Sequence, residues 1–176
     1  LMHACQNGHE QCARALIKAG AVVDAVNNEG VRALIKAAQN GHDLCARALI
    51  EKGATVDAQL PSGHTALMLA CQNGHEQCAR ALIEAGAVVD TQLPSGSTAL
   101  ILAAQNGHEQ CARALIENGA DLEKQQNAGW TALMYSAQNG HEQCARALIE
   151  AGAAVNATLP NGEGALNLAC QNGHVQ

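Results

Sequence analysis

Gln72-Asn73-Gly74-His75-Glu76-Gln77-Cys78-Ala79-Arg80-Ala81-Leu82-Ile83 is the stretch that decides the architecture, because the chain repeats it at a fixed interval. Gln-Asn-Gly-His begins at Gln6, Gln39, Gln72, Gln105, Gln138 and Gln171, always 33 residues apart. Cys-Ala-Arg-Ala-Leu-Ile begins at Cys12, Cys45, Cys78, Cys111 and Cys144 with the same 33-residue step. The 176 residues make five periods and eleven residues more, and the last eleven match the first eleven at eight positions. The period therefore covers the chain without a linker or second composition, which predicts one domain over residues 1–176. A period of this length marks a repeat that cannot bury its apolar face alone and stacks on its neighbours instead.

Working outward, residues 60–92 give the physics of one repeat. Leu60-Pro61-Ser62-Gly63 has Pro and Gly at the spacing of a tight turn. Residues 65–72 read as a short helix with Thr65 as its N-cap, and Asn73-Gly74 stops it with a left-handed Gly. Residues 76–85 read as a second helix closed by Gly86. On it Cys78, Leu82 and Ala85 line one apolar stripe at i, i+4 and i+7. Glu76 and Arg80 stand at i, i+4 with the acid first, the favourable order. Val88-Val89-Asp90 leads back to the next turn. Helices of about ten residues are marginal alone, so stacking must supply their stability.

With its 33-residue period, Gly63, Thr65 and Leu67 at the start, Gly74-His75 in the middle and Gly86-Ala87 at the close, the repeat resembles the ankyrin repeat over the whole chain. The resemblance implies an all-α solenoid of stacked antiparallel helix pairs with projecting hairpin fingers and a concave face. It also shows departures. The family's Thr-Pro-Leu-His reads Thr65-Ala66-Leu67-Met68, Thr98-Ala99-Leu100-Ile101 and Thr131-Ala132-Leu133-Met134 here, so Pro at the first helical position is lost. The Asp of the finger base is replaced by Leu60, Leu93 and Leu159, which predicts fewer polar contacts between repeats. Val31-Arg32 and Glu163-Gly164 lack the Thr, which predicts weaker helix starts there. The chain opens inside a first helix and closes before a second one, without polar capping variants, which reads as a segment of a longer array. Leu166, Leu168 and Cys170 would then lack a covering second helix.

Composition narrows the function classes. Apolar residues make up 48% and charged residues 15%, outside the disordered range. Trp130 and Tyr135 are the only aromatics, and 36 Ala residues point to close helix packing. The net charge of -6 offers no basic surplus for nucleic acid or an acidic membrane. No apolar run nears the roughly 20 residues of a spanning helix, and the N-terminus has no signal-peptide pattern.

Eight Cys and eight His raise a metal reading, since His9 and Cys12, and their copies His42/Cys45, His75/Cys78, His108/Cys111 and His141/Cys144, stand at i, i+3. The opposing reading is stronger. The resemblance puts the His at a turn where it satisfies backbone groups, and the Cys at a core position suited to a small, buried residue. Packed helices about 8–10 Å apart keep the pairs of neighbouring repeats from converging on one ion. That spacing also keeps the Cys ladder from bridging, although Cys71/Cys78 and Cys5/Cys12 remain open as pairs within one repeat. Ala38, Ala104 and Ala137 replace the first partner elsewhere, so the thiols read as reduced core residues of a cytoplasmic or nuclear protein. No catalytic residue, metal site, cofactor or small-molecule substrate is expected, because Cys and His recur as copies rather than as one convergent set.

Function should lie where the repeats differ. The residue after the turn Gly reads Val31, His64, Ser97, Trp130 and Glu163. A first-helix position reads His3, Lys36, Leu69, Leu102, Tyr135 and Leu168. In the ankyrin resemblance these positions line the concave face. The reading is a non-enzymatic protein-interaction module that holds a peptide or protein through Val31, Lys36, His64, Ser97, Trp130, Tyr135 and Glu163. Trp and Tyr are enriched at interface hot spots. Trp130 could instead cover apolar finger surface, with Tyr135 filling space between first helices. Gln72 and Asn73, with their copies, are either structural or read a repetitive ligand. The rival for the whole chain is a structural spacer within a longer array, favoured by the high identity of the repeats.

Overall fold

The computed structural model describes residues 1–174. Its elements are α1 (Met2–Gln6), α2 (Glu10–Lys18), α3 (Ala33–Gln39), α4 (Asp43–Glu51), α5 (Ala66–Gln72), α6 (Glu76–Glu84), α7 (Ala99–Asn106), α8 (Glu109–Glu117), α9 (Ala132–Gln138), α10 (Glu142–Glu150) and α11 (Ala165–Gln171). The chain is all-α: among the described residues the only β pairing is an isolated bridge between Thr158 and Gly164. The predicted helices at 65–72 and 76–85 appear at 66–72 and 76–84. The array expected over residues 1–176 divides into two compact units, Leu1–Val88 and Val89–Gln176.

In the first unit, α1, α3 and α5 pack in sequence, α2, α4 and α6 pack in sequence, and α1–α2, α3–α4 and α5–α6 pair. In the second, α7, α9 and α11 pack in sequence, α8 packs on α10, and α7–α8 and α9–α10 pair. The first helices inside each stack are buried nearly all round: Ala66, Leu67, Met68, Leu69, Ala70 and Cys71 of α5 are all in the core. Second helices bury one stripe, as in α6, where Cys78, Ala79, Ala81 and Leu82 are buried while Gln77 and Glu84 are exposed. The stripe differs from the sequence reading: Ala79 and Ala81 join Cys78 and Leu82, while Ala85 lies half-buried just past α6.

Both helix ends follow from the chain. The Thr65 hydroxyl accepts from the Met68 N–H, and Thr98 and Thr131 repeat that bond to Ile101 and Met134. After α5 the His75 N–H reaches the Ala70 carbonyl at 2.9 Å, and Gly74 at φ +76° turns the chain: a Schellman end. After α6 the Ala87 N–H reaches Leu82 at 3.0 Å in the same way. The starts that lack Thr are bare at α3, where Arg32 supplies no cap bond. At α11 the compensation comes from inside the helix, where Asn167 Oδ1 accepts from the Gly164 N–H at 3.1 Å.

Each finger is a tight hairpin. The Gly63 N–H donates to the Leu60 carbonyl at 2.8 Å, and the Leu60 N–H donates to the His64 carbonyl at 2.9 Å, with Gly63 left-handed. This is the three-residue hairpin loop closed by a left-handed Gly. Asn27 keeps a polar finger base and accepts from the Glu29 and Val31 N–H groups.

Polar contacts between repeats run through the turn His, as the resemblance implies, and through further side chains. His75 Nε2 meets the Gln39 carbonyl at 3.1 Å, and His42 and His141 do the same to Gln6 and Gln105. The Asn73 and Asn139 amides donate to Gln39 and Gln105 as well. Carboxylates of Asp24, Asp57, Asp90 and Glu123 accept from the backbone N–H of Thr55, Val88, Asp121 and Ala154, one repeat on. Arg14 reaches Glu51, Arg47 reaches Glu84 and Arg113 reaches Glu150 across neighbouring second helices.

Candidate interaction site

Residues shared by every repeat are occupied with holding the repeats together. The rings of His42, His75, His141 and His174 lie over the turn Gly of the repeat before them, so a Cβ on Gly41 would sit 2.5 Å from His75 Nδ1 and one on Gly107 2.6 Å from His141 Nδ1. Gly-His is thus an interlock: the Gly leaves room and the His of the next repeat fills it, with Asn73 and Asn139 tying the same turn where they stand. The Asn73 and Asn139 amides reach the preceding repeat, whereas those of Asn40, Asn106 and Asn172 donate to carbonyls of their own helices. The interlock also spends a His ring nitrogen on a carbonyl. Among the described residues no three His, Cys, Asp or Glu side chains are grouped to hold a metal ion.

All eight cysteines stand as thiols. Six are buried, but Cys12 and Cys170 are exposed, which corrects the reading of the whole set as core residues. The reason is position: the Cys of a second helix faces the repeat before it, as Cys78 faces the Ala37 carbonyl, and among the described residues no repeat packs on that side of α2 and no second helix covers α11. Burial pushes the Cys5 thiol up to about 12, aided by the neighbouring Cys45, and pushes Cys144 up to about 11. Neither is a nucleophile at neutral pH, since the thiolate is the reactive form.

The variable positions fall into each unit separately. In the first unit Val31, expected on the binding face, is buried at 6% exposed, and its N–H donates to Asn27 Oδ1. Lys36 is half-buried with Nζ 3.4 Å from Gln39 Oε1. His64 sits on its finger with Nδ1 2.9 Å from the Ser62 hydroxyl.

In the second unit the Ser97 hydroxyl accepts from Ser95 at 3.1 Å. Trp130 and Tyr135 are brought together: their ring centroids lie 5.1 Å apart with planes tilted by 36°. Both are half-buried. Trp130 packs on the cluster of Met134, Leu159 and Leu168. It therefore covers apolar finger and helix surface, as the packing alternative expects, and stays half-buried. Glu163 accepts from the Gln171 amide at 2.7 Å and from the Asn161 amide at 2.6 Å. The Gln171 bond first and the Asn161 bond second hold its carboxyl below the usual glutamate value.

Sequence reasoning missed a separate apolar groove of about 650 Å³ in this unit, lined in part by Leu133, Ala145, Ile149, Val155, Leu166 and Ala169. The exposed Ile149, Val155 and Leu166 lie along it. The only signal was the expectation that Leu166 would lack a covering helix.

The family model for ankyrin repeats (three copies) matches residues 1–60, 55–126 and 118–176. This chain belongs to the ankyrin repeat family. Comparison with curated proteins gave no match. Ankyrin repeats are generally protein-interaction modules. No helix among the described residues is long and apolar enough to cross a membrane.

Proposed function

We propose that this ankyrin-repeat chain is a non-enzymatic binding module whose variable face holds a peptide or protein partner. The observation that carries the reading is the Trp130–Tyr135 pair, the chain's only aromatics, touching each other and half-open at positions that vary from repeat to repeat. Two rigid rings give large contact area at low entropy cost, the usual make-up of an interface anchor. Ser97 and Glu163 hold variable positions in the unit of that anchor, and Val31, Lys36 and His64 hold the corresponding positions in the first unit. The turn His rings and several Arg–Glu pairs are engaged with neighbouring repeats, which favours the variable positions for recognition. No bond is made or broken, and no cofactor, nucleic acid, membrane or small-molecule substrate belongs to the reading. The thiols fit a reducing compartment, the cytoplasm or nucleus.

A spacer reading draws on the same interlocks, because they stiffen a stack whatever it binds. The test is affinity capture from cell lysate with the chain and with its Trp130→Ala, Tyr135→Ala double variant, matched first for helicity and melting. A partner held by the chain and lost by the variant is the expected outcome. Equal capture moves the site off this pair, and no reproducible partner for either protein leaves the spacer reading standing.

A further inference from the structure

In the second unit an aromatic pair and a fixed carboxylate occupy the same two positions of neighbouring repeats. Tyr135 follows Trp130 by five residues, and Leu168 follows Glu163 by five. The structure joins the two sets: Trp130 packs on the cluster that contains Leu159 and Leu168, and the Leu159 N–H donates to the Glu163 carbonyl at 2.8 Å. The Glu163 side chain is held in place by Asn161 and Gln171, both neutral, so its charge is positioned without being cancelled. A carboxylate has about four lone-pair sites, and two amides leave room for a further donor. Those two bonds, Gln171 first, hold its carboxyl below the usual glutamate value.

Charge over the rest of the unit has the same sign. Residues 89–176 hold eight acidic and three basic side chains, so this half carries five of the chain's six net negative charges. A field of that sign draws cations and repels anions. The face of an aromatic ring attracts a cation within about 6 Å of its centroid, and Trp does so best.

We propose that Trp130, Tyr135 and Glu163 form one subsite that receives the basic side chain, arginine or lysine, of an extended peptide segment of the partner. The aliphatic stem lies on the aromatic pair and the cationic head meets Glu163. This rests on the reading of the variable face as the binding surface and gives that face its chemistry.

Trp130 is the only tryptophan, so intrinsic fluorescence reports the subsite directly. The experiment titrates the 176-residue chain with three capped nonapeptides of one Gly/Ser/Leu sequence that differ only in a central Arg, Gln or Glu. The Arg peptide is expected to shift Trp130 emission at concentrations at least tenfold below the Gln peptide, with the Glu peptide weakest and the preference shrinking as salt rises. Glu163→Gln is expected to erase the Arg-over-Gln preference while leaving the melting temperature unchanged. Equal responses to Arg and Gln, a preference that survives Glu163→Gln, or no response to any peptide overturns the subsite. Failure of the wider reading looks different. A lysate partner lost by the Trp130→Ala, Tyr135→Ala variant but kept by Glu163→Gln removes only the cation, whereas a partner kept by both removes the face.

Discussion

A single turn shows how one residue type is fixed by its neighbour one repeat away. Gly107 has φ +75°, where an L-residue costs about 1–2 kcal/mol. Gly119 has φ +79° and meets the same backbone cost. The two differ in space: a Cβ on Gly119 meets nothing within 4 Å, whereas one on Gly107 lands on the His141 ring. That ring is anchored to the Gln105 carbonyl at 3.1 Å, so moving it also forfeits a bond worth about 1 kcal/mol. Gly107→Ala is expected to destabilise by about 2–3 kcal/mol and Gly119→Ala by about 1 kcal/mol. Urea unfolding of both variants checks the difference, and equal losses would show that the interlock contributes nothing. The sequence made the turn Gly legible, and the His beside it was read as satisfying backbone groups. It gave no sign that the ring fills the preceding repeat's turn, because sequence adjacency says nothing of contacts 34 residues away.

At the scale of an element, the same helix position takes opposite environments. Leu133 on α9 and Leu166 on α11 occupy one repeat position, yet they are 3% and 75% exposed. Burying a leucine gains contacts with the covering helix, and truncating it leaves a cavity. Leu133→Ala is expected to cost about 2–5 kcal/mol, the range for a core leucine. Leu166→Ala is expected to stay within about 0.5 kcal/mol, as at an exposed site. Thermal melts of the pair check this, and a large loss at Leu166 would mean that the groove beside it is closed in solution. Helix caps behave likewise. Thr98 caps α7 with its hydroxyl, Arg32 caps nothing at α3, and Asn167 supplies the bond for α11 from the third helical position. The missing Thr was visible in the sequence, while the Asn167 substitute was not, because it works only once the turn of helix has formed.

For the whole molecule, the thiols tie stability to pH. Cys5 and Cys144 titrate near about 12 and about 11 in the folded chain, above the ordinary thiol value of about 8.5. A raised pKa means that folding favours the protonated thiol. The contribution is therefore complete below about pH 8.5 and is lost as pH climbs through the folded values. Stability is expected to fall from about pH 9 to 11, and Cys5→Ala with Cys144→Ala is expected to flatten that fall. Urea midpoints measured across the window give the answer, and an unchanged slope in the double variant would assign the pH dependence to other groups.

The sequence by itself determined the repeat, its helix boundaries to within a residue, the stops at Gly, the Thr caps and the family. Each of these rests on local backbone chemistry or on periodicity, which a linear text carries in full. Tertiary structure alone decided which shared polar residues are consumed between repeats, that Val31 is buried while Trp130 and Tyr135 meet, and that Cys12 and Cys170 differ from their buried copies. Identical residues receive different surroundings because burial belongs to the neighbour that covers a side chain, and the neighbour is chosen by the stack.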